Sequence, residues 1–216
     1  MPGGKFITFE GGEGSGKSTQ VKRLCTSLAD RGIDVIATRE PGGTTGAEEI
    51  RSLLVSGEPG RWQPFTEALL HSAARSEHVS TLIRPALGAG QWVVSDRFAD
   101  STLAYQGYAQ ELGREAIERL THLTVGEFAP DLTLILDLSP EIGLERAMAR
   151  GQGASGPAED RYEQMGTAFH QTLREAFLDI AKGEPARCAV IDAAASEDQV
   201  AADIWAVVCE RLELTS

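Results

Sequence analysis

A glycine-rich segment near the start of the chain limits the possible folds more than any other feature. Residues 11–19 read Gly-Gly-Glu-Gly-Ser-Gly-Lys-Ser-Thr and fit the pattern G-x-x-x-x-G-K-[ST]. The segment follows a short apolar run and precedes an amphipathic pattern, which is the context that this motif needs. Its glycines let backbone N–H groups surround phosphate oxygens, and the N-terminus of the following helix adds a positive dipole. The segment therefore predicts a phosphate-binding loop (P-loop) between a buried strand and a helix.

Each residue of this loop is a candidate ligand of nucleotide phosphates. Lys17 supplies a mobile cation, and Ser18 offers a hydroxyl to Mg²⁺. No G-x-G-x-x-G frame fits, because a frame that starts at Gly12 puts Lys17 at the third glycine, so a dinucleotide-binding loop is excluded. The predicted phosphate ligands are Gly11, Gly12, Glu13, Gly14, Ser15, Gly16, Lys17, Ser18 and Thr19.

Five short apolar runs rich in β-branched residues predict strands buried on both faces. They are residues 5–10, 34–38, 92–95, 132–138 and 188–191. Amphipathic helical patterns lie between them, which favours crossovers that cover both faces of a parallel sheet. The 216 residues suffice for one well-buried core and are few for two. We predict an α/β fold with a five-stranded parallel sheet flanked by helices, in one domain that spans residues 1–216.

Helix signals and one glycine-rich loop mark the second half of the chain. Ser139-Pro140 predicts a helix start, and Arg84-Pro85 predicts a kink or break in the crossover before the third strand. Apolar residues from Tyr162 to Ile180 recur every three or four positions and predict a long helix packed on the core. Before it, residues 151–157 read Gly-Gln-Gly-Ala-Ser-Gly-Pro. We predict a short mobile lid at about residues 150–161.

The charge balance restricts the possible partners. A formal net charge of -12 repels a nucleic-acid backbone and an anionic membrane surface. We therefore expect no nucleic-acid polymer and no membrane as partner. A few arginines that converge in one cleft can still bind a small anion.

The cysteines and the N-terminal residues bear on the expected location of the chain. Cys25, Cys188 and Cys209 have neither metal-binding nor redox spacing, and they are interpreted as core residues. No signal-peptide pattern and no run of about 18 apolar residues is present, so a cytoplasmic location is expected.

A charged pair follows the predicted third strand. Asp96 and Arg97 should emerge at the carboxyl end of the sheet, where open α/β folds bind ligands. Asp96 is a candidate Mg²⁺ ligand, and Arg97 is a candidate phosphate ligand. A surface ion pair is the alternative for such a dipeptide considered alone.

Together with the motifs below, these residues make the chain resemble the thymidylate kinase family over its whole length. The P-loop alone indicates only the use of a nucleoside triphosphate. The motifs that carry the resemblance are Phe9-Glu10-Gly11, Arg39-Glu40-Pro41-Gly42-Gly43-Thr44, Ala73-Ala74-Arg75, Asp96-Arg97-Phe98, Ser101-Thr102 and Tyr105-Gln106-Gly107. The second of them is specific to the family, and so is Asp-Arg-Phe together with the Ser-Thr-x-x-Tyr-Gln-Gly segment that follows it. The resemblance implies a P-loop nucleoside-monophosphate kinase that moves the γ-phosphoryl group of ATP, with Mg²⁺, onto dTMP in dTTP biosynthesis. It also implies a homodimer.

The resemblance also assigns acceptor-side roles to individual residues. Arg97 and Arg51 match residues that hold the dTMP phosphate. Arg75 and Thr102 match residues that read the thymine edge, and Gln106 belongs to the same dTMP-binding set. Tyr105 matches a residue that crowds the sugar where a ribose 2′-hydroxyl would lie, and Glu13 matches an acidic residue near the sugar and phosphate. The dTMP ligands expected from the resemblance are Glu13, Arg51, Arg75, Arg97, Thr102, Tyr105 and Gln106.

Two features depart from the family pattern or leave a role open. Where relatives often carry a phenylalanine that stacks on thymine, this chain has His71, so Phe65 or Phe98 are alternative stacking residues. Some relatives carry an arginine in the P-loop where this chain has Gly14. We therefore expect a transition-state arginine from the lid, with Arg161 as first candidate and Arg150 as second.

Two rival functions remain at this stage. A kinase for another nucleoside or nucleoside monophosphate would share the P-loop and much of the fold. A GTP-dependent switch would need a guanine-selective Asn-Lys-x-Asp sequence, which the chain lacks.

Overall fold

The computed structural model describes residues 3–58, 60–151 and 161–214, with only the backbone described at 150 and 151. Five parallel strands form one sheet in the order β2-β3-β1-β4-β5. The strands are β1 (Phe6–Glu10), β2 (Val35–Arg39), β3 (Trp92–Asp96), β4 (Leu132–Asp137) and β5 (Cys188–Asp192). The predicted five-stranded parallel sheet is confirmed, and each predicted strand boundary differs by at most one residue from the observed one.

The prediction that all five strands are buried on both faces is wrong for two of them. The three inner strands, β3, β1 and β4, are buried almost throughout. The strand β2 has only half-buried and exposed residues, and β5 has buried, half-buried and exposed residues, with Val190 47% exposed. These two strands lie at the edges of the sheet, where one side has no neighbouring strand and the covering helices are incomplete.

Helices cover both faces of the sheet. They are α1 (Lys17–Ala29), α2 (Thr45–Leu54), α3 (Pro64–His78), α4 (Arg84–Gly88), α5 (Ala99–Thr102), α6 (Arg114–Val125), α7 (Pro140–Gly151), α8 (Thr167–Gly183) and α9 (Glu197–Arg211). Two π-helical segments, Val79–Ile83 and Leu103–Ala109, connect α3 to α4 and continue α5. The first of them ends directly before Arg84-Pro85, where the sequence predicts a kink or break, and the helical conformation continues from it into α4. The α7 helix begins at Pro140 as predicted.

The core follows from the alternation of side chains along the strands. Ile7 and Phe9 of β1 pack with α1 and α9 on one face, whereas Phe6 packs on the opposite face. On that opposite face, Leu173 and Phe177 of α8 form a second buried cluster with residues of α6 and the second π-helical segment. Of the three cysteines, only Cys188 is buried, and Cys25 and Cys209 are half-buried free thiols.

The long helix predicted from Tyr162 to Ile180 begins later than expected. The α8 helix starts at Thr167, after Gly166 in an extended conformation, and Tyr162 lies in a turn before it. Leu173, Phe177 and Ile180 are buried as the apolar period predicts. Because Tyr162 lies in this turn and not in α8, its side chain contacts α3. The predicted lid falls largely on residues 152–160, outside the described residues.

Candidate active site

The P-loop follows β1 directly and wraps around the Lys17 ammonium group. The Nζ atom donates to the carbonyl oxygens of Gly11 and Gly12 at 3.1 and 2.7 Å and to the Ser15 hydroxyl at 3.2 Å. Burial, together with the nearby Arg97 guanidinium, lowers the pKa of Lys17 to about 8. Among the described residues, the hydrogen-bond partners of this buried cation are neutral oxygens of its own loop, so it is suited to bind an added anion.

Backbone conformation explains why the loop needs glycine. Gly14 and Gly16 have φ values of 68 and 90°, in the left-handed region that side chains disfavour. Gly14 also lies against the backbone of Gly143 in α7, so a Cβ atom at either glycine would collide with the other element. The P-loop and the first turns of α7 are therefore packed backbone to backbone.

Ser18 and Asp96 meet at the start of α1. The Ser18 hydroxyl donates to Oδ2 of Asp96 at 2.5 Å, because parallel pairing of β1 with β3 places Phe9 opposite Asp96. A hydroxyl beside a carboxylate is a partial ligand set for Mg²⁺, which keeps several waters and uses few protein ligands plus phosphate oxygens. Within the described ranges, no three His, Cys, Asp or Glu side chains form a group that could hold a metal ion.

Arg97 lies between the P-loop and the cavity next to it. Its φ value of 71° is unusual for a residue with a side chain, and several contacts hold it in this conformation. The Nη1 atom donates to Gly11 O at 3.1 Å and to Ser101 Oγ at 3.0 Å. The Nη2 atom donates to Glu13 Oε1 at 2.9 Å and to Tyr105 Oη at 3.0 Å. The guanidinium group is therefore fixed at the junction of the two predicted substrate sites.

Glu13 is ionised in this arrangement. Burial alone would raise its pKa, but Arg97 and Lys17 outweigh burial, and the pKa falls to about 2. The Tyr105 hydroxyl donates to Glu13 Oε1 at 2.7 Å, which adds to the stabilisation of the carboxylate.

A cavity opens beside Arg97 on the side away from Lys17. Among its lining residues are Glu13, Arg51, His71, Arg75, Arg97, Thr102, Tyr105, Gln106 and Tyr162. Every residue that the family resemblance assigns to dTMP lines this one cavity. Arg51 approaches it from α2, and its Nη1 donates to Pro41 O at 2.8 Å.

Arg75 is buried at the back of this cavity. Its Nε donates to Glu40 Oε2 at 2.8 Å, and its Nη2 donates to Phe98 O at 3.0 Å and to Thr102 Oγ1 at 2.8 Å. Glu40 is in turn held by His78, whose Nδ1 lies 3.1 Å from Glu40 Oε1. Among the described residues, Nη1 of Arg75 has no hydrogen-bond partner.

Gln106 presents the complementary feature. Its Nε2 donates to Glu67 Oε1 at 2.7 Å, whereas its Oε1 has no hydrogen-bond partner in the part of the chain that the structure describes. One buried donor and one buried acceptor, both on residues that line the cavity, thus remain unsatisfied. Native proteins rarely leave such groups without a partner, which marks a place for a polar ligand.

Comparison with known proteins decides the family. The family model described as thymidylate kinase matches residues 9–204. The chain belongs to the thymidylate kinase family. It is 53% identical over 214 residues to a thymidylate kinase of Caulobacter vibrioides, with 99% of this chain and 100% of the relative covered. It is 51% identical over 209 residues to one of Bradyrhizobium diazoefficiens, with 97% and 90% covered. A solved thymidylate kinase structure from Ehrlichia chaffeensis superposes with a TM-score of 0.76 at 35% identity, with 96% and 99% of the two chains covered.

His71 occupies the cavity wall where thymidylate kinases often have a phenylalanine. Its Nε2 lies 3.1 Å from the Tyr162 hydroxyl. Burial, followed by Arg75 and Arg97, lowers the pKa of His71 to about 3, so the imidazole is neutral. Of the two alternative stacking residues, Phe98 lines the cavity, whereas Phe65 is 54% exposed and is not among the residues that line it.

Arg161, the first candidate for an arginine finger, is placed differently from what that role needs. Arg161 is buried, with 1% of its side chain exposed, in an ion pair with Glu67. Its Nη1 donates to Leu54 O at 2.7 Å. These partners lie on α2 and α3 rather than on the P-loop, so a role at the transferring phosphoryl group requires this ion pair to open. Arg150 lies in α7, and its side chain is outside the described residues.

Sequence analysis missed the buried carboxylates that support the site, which are Glu10, Glu40 and Glu67. Glu10, at the end of β1, accepts from Phe98 N at 2.7 Å and from Ser101 Oγ at 2.5 Å. Burial, with Asp100 next in effect, raises its pKa to about 8. The sequence places Glu10 at the end of an apolar strand, an unusual position for a carboxylate, but this glutamate was interpreted only as part of the motif Phe9-Glu10-Gly11.

Proposed function

We propose that the chain transfers the γ-phosphoryl group of ATP to dTMP and forms ADP and dTDP, as a step in dTTP biosynthesis. The observation that carries the proposal is the cavity beside the P-loop, with Arg97 at the junction and unsatisfied groups of Arg75 and Gln106 at its wall. Membership in the thymidylate kinase family supports the same conclusion.

The unsatisfied donor and acceptor match the edge of thymine. Thymine presents O4 as an acceptor next to the N3–H donor. Nη1 of Arg75 would donate to O4, and Oε1 of Gln106 would accept from N3–H. Thr102 supports Arg75 through its hydroxyl, and Tyr105 closes the cavity near the sugar together with Glu13.

The acceptor phosphate would be held by two cations. Arg97, fixed at the junction, and Arg51, which lines the cavity from α2, would bind it and offset its charge before it meets the triphosphate. An acceptor phosphate is already ionised near neutral pH, so the reaction needs no general base. Positioning and charge neutralisation therefore account for the catalysis in this proposal.

The donor side rests on the P-loop. The backbone N–H groups of residues 11–19 and the start of α1 would bind the phosphates of ATP, and Lys17 would stabilise the β- and γ-phosphates. Ser18 and Asp96 would hold Mg²⁺, which would offset the negative charge of the phosphate groups. The lid, with Arg161 or Arg150 as the source of a transition-state charge, would exclude water and complete the donor site.

A homodimer and a cytoplasmic location are part of the proposal. Leu53, Phe65 and Leu69 are exposed on the adjacent helices α2 and α3, which supports an interface on that side of the sheet. The structure describes no helix with the length and apolar character needed to cross a membrane. Sedimentation equilibrium of the purified chain would test the dimer.

A coupled assay with a panel of acceptors tests the proposed function. ADP release would be measured with ATP and Mg²⁺ and with dTMP, dUMP, CMP or AMP as acceptor, and Lys17→Ala would serve as the inactive control. We expect the highest kcat/KM with dTMP. A clear preference for CMP or AMP would show that the chain is a kinase for another nucleotide.

A further inference from the structure

Glu67 is a buried carboxylate with no assigned role. It lies on α3 with none of its side chain exposed, and it does not line the cavity. Its Oε1 accepts from Gln106 Nε2 at 2.7 Å and from Gln110 Nε2 at 2.8 Å, and its Oε2 pairs with Arg161. Because these donors surround the buried carboxylate of Glu67, its position is strongly constrained.

The chemistry of a carboxylate fixes the orientation of the neighbouring amide. An ionised carboxylate can only accept hydrogen bonds, so the NH₂ group of Gln106 must face Glu67. The amide oxygen then necessarily points away from Glu67, and this oxygen is the buried acceptor without a partner. A flipped amide would place two oxygens against each other in a buried site, which is strongly unfavourable.

We propose that Glu67 is a positioning residue that fixes the amide orientation of Gln106 and so makes the cavity select bases with an N–H donor at N3. The inference rests on the proposed dTMP-binding role of the cavity. It explains selectivity against cytosine, which has an acceptor at N3 and an amino donor at position 4. With the amide fixed, cytosine would place acceptor against acceptor at Gln106 and donor against donor at Arg75.

Glu67→Gln removes the constraint with little change in shape. A glutamine at position 67 can present either its oxygen or its NH₂ group, so the Gln106 amide is free to adopt both orientations. We expect the ratio of kcat/KM for dTMP to kcat/KM for dCMP to fall by about ten- to a hundredfold, the scale of one charge-assisted hydrogen bond. The loss for dTMP should be mainly in KM, because the base lies away from the reacting phosphates.

Gln110→Leu is the matched control. Gln110 donates to the same Oε1 atom of Glu67 but does not line the cavity. This variant perturbs the surroundings of Glu67 while the bond to Gln106 remains, so the dTMP to dCMP ratio should stay within about twofold of the parent. A fall equal to that of Glu67→Gln would show general disruption and overturn the proposal.

Two further variants keep the test decisive. The double variant Glu67→Gln with Gln106→Glu exchanges the two groups and restores a side chain at position 106 that can only accept hydrogen bonds. It should therefore recover part of the preference for dTMP. A purely structural role of Glu67 predicts no recovery. If Glu67→Gln does not fold, Glu67→Asp retains the charge but shortens the side chain by one methylene group, which weakens its contact with Gln106, and the ratio should fall there as well.

The outcomes separate this inference from the proposed function. A folded Glu67→Gln or Glu67→Asp variant with the parental ratio overturns the positioning role while dTMP kinase activity stands. A parent enzyme that does not prefer dTMP to dCMP overturns the proposed function itself.

Discussion

Replacing His71 should change how the stability of the chain depends on pH. The imidazole is neutral in the folded state because burial and the guanidinium groups of Arg75 and Arg97 lower its pKa from 6.5 to about 3. In the unfolded chain it takes up a proton below pH 6.5. Because the pKa of His71 is lower in the folded state than in the unfolded state, the stability that the neutral imidazole contributes is fully present above pH 6.5. This contribution is lost as the pH falls from 6.5 towards 3.

The magnitude follows from the window between the two pKa values. Between pH 7.5 and 5.5 the folded state gains no proton at His71, whereas the unfolded state gains almost one. This difference lowers the free energy of unfolding by about 1.4 kcal/mol at pH 5.5 relative to pH 7.5. His71→Gln can still hydrogen-bond to Tyr162 but does not titrate, so the variant should gain about 1.4 kcal/mol on the parent over this pH range.

Urea unfolding of the ligand-free chain at pH 7.5, 6.5 and 5.5 would measure this gain. Tyr162→Phe is the matched control, because it removes the hydrogen bond at His71 Nε2 but leaves a titrating imidazole. Its stability difference from the parent should not change with pH. If the difference between His71→Gln and the parent varies by less than about 0.4 kcal/mol over the range, the imidazole is not held neutral and the reasoning is refuted.

The remaining predictions concern the charged groups of the site. Lys17→Ala should remove several kcal/mol of transition-state stabilisation with the thermal unfolding temperature nearly unchanged, and near-parental turnover would refute the P-loop assignment. Arg97→Ala should raise KM for dTMP and lower kcat together, and equal losses of ATP and dTMP affinity in separate titrations would contradict its acceptor-side role. Arg150→Ala should lower kcat strongly at saturating substrates if Arg150 is an arginine finger. Arg161→Ala should in addition destabilise the fold by about 3–5 kcal/mol, because it leaves Glu67 buried without its cation. Turnover of both single variants and of the double variant within a few-fold of the parent would exclude a lid arginine finger.

Local patterns predicted the sheet and the P-loop because both depend on residues close in sequence. Burial of the inner strands on both faces of a parallel sheet produces apolar runs, and the G-x-x-x-x-G-K-[ST] spacing is set by one turn around a phosphate. The position of Asp96 and Arg97 followed from the same rule, since parallel strands end at a common edge. Strand order does not follow from such patterns, which is why the exposure of the edge strands β2 and β5 was not predicted.

The supporting carboxylates could not be predicted because their partners are far away in the sequence. Glu67 bonds to Gln106 and pairs with Arg161, which lie on other elements, and Glu40 meets Arg75 only after α3 has packed near β2. A glutamate in an amphipathic helix is usually solvent-exposed, so the sequence alone favours the wrong environment. The same limit applies to Arg161, whose position next to a glycine-rich segment indicated a lid residue and gave no sign of its buried partner.

The contact between Gly14 and Gly143 constrains how this enzyme can be altered, by selection or by design. A Cβ atom at position 14 would meet the Gly143 backbone, and one at position 143 would meet the Glu13 carbonyl, so a replacement at either position requires the opposing backbone to be rebuilt. Installing an arginine at position 14, as some relatives have, therefore means re-engineering the first turns of α7. The P-loop and α7 should change only as a unit, and a single arginine transplanted into position 14 should fail in this chain.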